Sequence, residues 1–141
     1  MNRWDYFLFL FHQGQSFIVS NLLLISLFLL LFIVLLYKSF KVDKVRYKKL
    51  YLIALIPFLF PLLMLVWGTL FEHTQVQVTN VPAWQSSVLS EIILLQLGIN
   101  LVCLVWFKGI RLSIAVLALL QACFTFPFLL VASMSVTGVW L

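Results

Sequence analysis

Four apolar runs, each long enough to cross a lipid bilayer, constrain this chain more than any other feature. A hydrocarbon layer ~30 Å thick takes about 20 helical residues at 1.5 Å each. The runs cover residues 17–37, 50–70, 88–107 and 112–133, and none carries an ionised residue near its centre. Unpaired backbone amides are too costly in hydrocarbon, so each run is expected to be an α-helix. Composition supports this: 65% of the 141 residues are hydrophobic and 9% are charged, where a soluble domain has about 25% charged. Soluble-enzyme, disordered, fibrous and disulfide-scaffold classes are excluded. The expected fold is all-α, a polytopic integral membrane protein with four transmembrane helices arranged as two hairpins.

Charge sets the expected threading. Lys38, Lys41, Lys44, Arg46, Lys48 and Lys49 fill the loop 38–49, and Lys108 and Arg111 lie in the turn 108–111, so eight of the nine cations lie on one side and Arg3 alone on the other. Positive charge marks the cytoplasmic side, which puts both termini outside. The outer parts are then an interfacial segment 1–16, a loop 71–87 and a tail 134–141. Trp4, Tyr6, Trp67, Trp84 and Trp140 form one aromatic belt, and Tyr37, Tyr51 and Trp106 the other. Residues 7–11 are too short an apolar core for a cleaved signal and lack a small-residue cleavage site, so insertion is expected through the chain's own helices. The six-cation loop is expected to contact anionic headgroups at the cytoplasmic face rather than nucleic acid. The expected location is a bacterial inner membrane.

A shift of 70 residues lays the first hairpin on the second. It pairs Gln15-Ser16 with Gln85-Ser86, Lys38 with Lys108, Lys41 with Arg111, Pro57-Phe58-Leu59 with Pro127-Phe128-Leu129, and Gly68 with Gly138. A tandem two-helix repeat is one reading of this pattern; chance matching in a Leu-rich chain is the other.

Function in such a protein is sought among its intramembrane polar residues. On the third helix Gln96, Asn100 and Cys103 share a face, with Glu91 on nearly the opposite one. The fourth helix has a small-residue face of Ala115, Ala118, Ala122 and Thr125, with Gln121 at its margin. Gln96, Asn100 and Gln121 are expected to hold helices together, and depth along the helices allows an Asn100–Gln121 hydrogen bond. Glu91 lies about one turn from the outer end. It either reaches the headgroups or forms a proton or cation site with Asn21, its match under the 70-residue shift.

Other chemistries find no support. His12 and His73 lie outside the spans, no Cys/His spacing suits a metal, and Cys103 and Cys123 sit in apolar runs as packing residues. No cofactor and no catalysis are expected. The leading expectation is a small non-catalytic membrane subunit or scaffold of a larger complex, partnered by other membrane subunits. The alternatives are a small homo-oligomeric transporter or channel using Glu91 and, more weakly, a membrane sensor or defence effector.

Overall fold

A computed structural model describes residues 2–42, 44–71 and 83–138, with side chains omitted for 42, 44–47 and 49. Six α-helices follow one another: α1 (Arg3–Ser20), α2 (Leu22–Val42), α3 (Lys44–Leu55), α4 (Phe60–Leu70), α5 (Ala83–Trp106) and α6 (Arg111–Thr137). Short 3₁₀ turns at Ile56–Leu59 and Lys108–Ile110 join α3 to α4 and lead into α6. Among the described residues there is no strand. Four stretches are long and apolar enough to span a membrane: Leu22–Lys41, Leu50–Leu70, Ala83–Trp106 and Lys108–Thr137. Residues 1, 43, 72–82 and 139–141 lie outside the described residues, and with them most of the expected outer loop 71–87 and part of the expected segment 134–141.

The structure departs from the sequence-based boundaries at the first span. The run 17–37 is not one helix, because the chain breaks at Asn21. Its backbone N–H bonds Ile18 O at 3.0 Å, and its side-chain Nδ2 donates to Phe17 O, also at 3.0 Å. Asn competes for backbone carbonyls in this way, and here it satisfies one that the end of α1 leaves free. Residues 1–16, read from sequence as an interfacial segment, belong largely to α1, which packs along α6. The Tyr6 hydroxyl lies 2.9 Å from Ser135 Oγ, and the Phe11 ring stacks on Phe128 at 5.8 Å. Farther along, buried Gly14 faces Phe128 where an added Cβ would collide with the ring. Rising numbers on α1 meet falling numbers on α6, so the two helices are antiparallel.

Every other long helix touches α6. Three buried clusters line it. Leu10, Leu65, Phe128 and Val131 join α1, α4 and α6. Met64, Leu89, Ala132 and Val136 join α4, α5 and α6. At the basic end, Tyr51, Cys103, Ile110 and Ile114 pack against Phe32 and Phe40 of α2. By contrast, Ile25 is the sole buried residue among the described side chains of α2.

The α4–α6 contact is the most extensive between helices, and it is tight at Gly68. A Cβ at Gly68 would lie 3.1 Å from Ala132 Cα. That approach lets Ser135 Oγ donate to Gly68 O at 2.7 Å, one of the last carbonyls of α4 and so without a partner in its own helix. Gly98 on α5 has open space where its Cβ would be. Gly68→Leu should therefore lower stability in mild detergent by about 1–3 kcal/mol, the usual cost of overpacking, while Gly98→Leu should not. Equal thermal unfolding of the two variants would show that the seam tolerates separation.

Candidate functional site

Four buried polar residues, Gln96, Asn100, Gln121 and Thr125, gather where α6 faces α3 and α5. Their placement begins with Pro57, which has no N–H to donate. The 3₁₀ turn is capped by Leu55, and 3₁₀ pairing runs three residues back, directing the Phe58 amide to Leu55. Ala54 O thus loses both customary partners, since the amide three residues ahead would be that of Pro57. Gln121, 1% exposed, replaces them: its Nε2 donates to Ala54 O at 2.8 Å. One turn along α6, Thr125 Oγ1 donates to Gln121 O at 2.9 Å and accepts from Gln96 Nε2 of α5 at 2.8 Å. Gln121 Oε1 remains buried with no partner among the described residues.

Asn100 lies one turn beyond Gln96 on α5. The Asn100–Gln121 hydrogen bond expected from their depth is not made, because Gln121 is turned to Ala54. Asn100 is 9% exposed, and among the described residues its amide has no hydrogen-bond partner. It opens onto a groove of about 170 Å³ between α5 and α6, with Gln96, Ala118, Ala122, Thr125 and Phe126 among its walls. The small face of α6 therefore does not close on α5 along its whole length. Beside Ala118 and Ala122 the two helices leave a furrow.

Glu91 and Asn21 are not brought together as a hydrogen-bonded pair. Asn21 is exposed, with its amide donated to Phe17 O. Glu91 is exposed on α5. Among the described residues no group of three or more His, Cys, Asp or Glu could hold a metal.

At the basic end Lys38, Lys41 and Lys48 are exposed, while the side chains of Lys44, Arg46 and Lys49 lie outside the described residues. Arg111 has a part that sequence reasoning missed: Nε donates to Leu104 O at 3.1 Å and Nη2 to Val105 O at 3.3 Å. A guanidinium on the last carbonyls of α5 pairs them and offsets the negative end of the helix dipole. The available signal was a cation a few residues past the end of an apolar run. Nearby, Lys38, Ser39, Gly109, Leu112 and Ser113 line a cavity of about 240 Å³ between α2 and the start of α6.

Comparisons with protein-family models, with curated proteins and with solved structures find no match to this chain.

Gln96 and Thr125 should be energetically coupled. A double-mutant cycle with Gln96→Leu and Thr125→Val, read by unfolding in mild detergent, should give about 0.6–2 kcal/mol, the range for hydrogen bonds between membrane helices. Additive effects would mean the bond adds nothing to the pairing of α5 and α6. Gln121→Leu should cost about 1–3 kcal/mol, because it leaves Ala54 O buried and unpaired.

Proposed function

We propose that this protein is a small non-catalytic subunit or scaffold of a larger membrane complex. In this proposal it sits in a bacterial inner membrane, its basic turns cytoplasmic and both termini outside. The supporting observation is Asn100 in the α5–α6 groove. Four of the eight buried polar side chains among the described residues are used between helices: Gln121 on Ala54 O, Thr125 with Gln96, Ser135 on Gly68 O. Asn100 is not: its amide makes no bond within the described residues and lines the α5–α6 groove. A furrow walled by alanines with one free amide suits a transmembrane helix of another subunit, since small residues allow close approach and a polar residue fixes register.

Purification from the native membrane in mild detergent should yield foreign subunits in fixed stoichiometry. Asn100→Leu should keep the monomer stable, because no internal hydrogen bond is lost, yet release those subunits. A pure homo-oligomer that is indifferent to Asn100→Leu would overturn the proposal and favour the oligomeric transporter. That alternative assigns the proton or cation site to Glu91, which stands exposed on α5; under the scaffold proposal Glu91→Gln should leave the host process unchanged across pH, and a lost pH dependence would favour the transporter.

The proposed threading has its own check. A reporter active only in the cytoplasm should be silent when fused after Leu141 and active when placed between Lys41 and Lys44. The opposite pattern would invert the orientation.

A further inference from the structure

The cavity between α2 and the start of α6 is built from groups that favour an anion. Lys38, in the penultimate turn of α2, contributes an ammonium to its wall. Opposite it stands the N-terminus of α6, a 27-residue helix that begins without a side-chain cap. The N–H groups of Leu112 and Ser113 fall in its first turn, where amides have no α-helical partner, and the positive end of the helix dipole is directed there. Ser113 is 3% exposed, lines the cavity, and makes no hydrogen bond among the described residues. The hydroxyl is unbonded within the chain and, in a residue otherwise packed away, is left to a ligand in the cavity it lines. The neighbouring groups are already engaged. Ser39 Oγ donates to Leu35 O at 2.9 Å and accepts from the Tyr51 hydroxyl at 3.2 Å. Arg111 is committed to the end of α5.

What remains is one cation, first-turn amides and one hydroxyl, donated from two elements. A planar carboxylate offers two acceptor oxygens, whereas a tetrahedral phosphate offers several in different directions and matches donors that converge from separate helices. The cavity, at about 240 Å³, holds several times the ~30 Å³ of a water molecule and so has room for a phosphate group. Its rim is apolar: Leu112 is 66% exposed beside it, and the adjoining faces of α2 are rich in exposed Leu, Ile and Val. An acyl chain can lie against that rim while the phosphate enters.

We propose that this cavity is a binding site for the phosphate of an anionic phospholipid headgroup, held by Lys38, the α6 N-terminal amides and the Ser113 hydroxyl. The site rests on the membrane insertion proposed above and not on the scaffold role. A test uses the purified full chain in mild detergent, titrated with dioctanoyl phosphatidic acid, dioctanoylglycerol or inorganic phosphate at matched ionic strength. Native mass spectrometry counts what is retained, and the titration gives an apparent Kd. One phosphatidic acid per chain should be retained, with dioctanoylglycerol retained far less. Lys38→Gln should weaken retention about tenfold, and Ser113→Ala about threefold, as expected for losing a charged and a neutral hydrogen bond. Lys41→Gln and Lys48→Gln, which alter exposed cations outside the cavity, should change it by less than about twofold, as distant surface charges do.

Equal loss in all three lysine variants would overturn the site in favour of diffuse attraction. So would unchanged retention in Ser113→Ala. Inorganic phosphate that competes as well as the lipid would overturn the assignment to a lipid. Lys38 is exposed, so its variant should fold even if one at Ser113 does not. Asn100→Leu should retain the lipid normally, which separates failure of this site from failure of the scaffold proposal.

Discussion

Backbone carbonyls that a helix cannot pair for itself need donors, and in this bundle α6 supplies two of them to the helix pair α3–α4. Ala54 O is freed by the proline turn and taken by Gln121; Gly68 O is freed by the end of α4 and taken by Ser135. The acceptors are 14 residues apart on one side and the donors 14 apart on the other. Fourteen residues make just under four helical turns, so both bonds fall on one face of each helix. The two segments run parallel and in step, and the bonds set that register where leucine packing alone leaves it free to slide. The remaining helices assemble around this seam: α1 over Gly14 and Phe128, α5 through Gln96 and Thr125, α2 along the outside.

The apolar runs made the four long apolar helical stretches legible, because a run of that length in hydrocarbon must be helical. Depth was legible as well: counting residues inward placed Asn100 and Gln121 close in height. Their partners were not. A helical projection gives angles within one helix but not how that helix is rotated against its neighbours, and Gln121 is rotated toward α3. What turned it was Pro57, 64 positions earlier in the chain, whose missing amide leaves Ala54 O open. The break at Asn21 was hidden by the hydrophobicity on either side of it. Ser113 carried no signal, since a serine near the start of a helix is ordinary until its burial is known.

The 70-residue correspondence takes a specific form in three dimensions. Pro57 lies in a 3₁₀ turn between two helices, while its counterpart Pro127 lies inside an unbroken one. The first site has a second proline, Pro61, four residues on, and two missing amides within five residues disrupt what one does not. Asn21 interrupts its helix where Glu91 leaves α5 continuous. If a duplication underlies the chain, the first copy became the jointed one and the second the straight axle. The paired segments α3–α4 and α6 then pack against each other as non-identical halves.

The helix that organises the bundle follows the other described helices in the chain. While the ribosome is still extending α5, α1 has no Phe128 to rest on, Ala54 O and Gly68 O have no donors from α6, and α2 has little to hold it beyond the start of α3. The earlier segments have only their contacts with one another, α1 with α4 and α4 with α5, until α6 arrives to set their register. A chain that lacked α6 would leave Ala54 O and Gly68 O without these donors and Gln96 without Thr125.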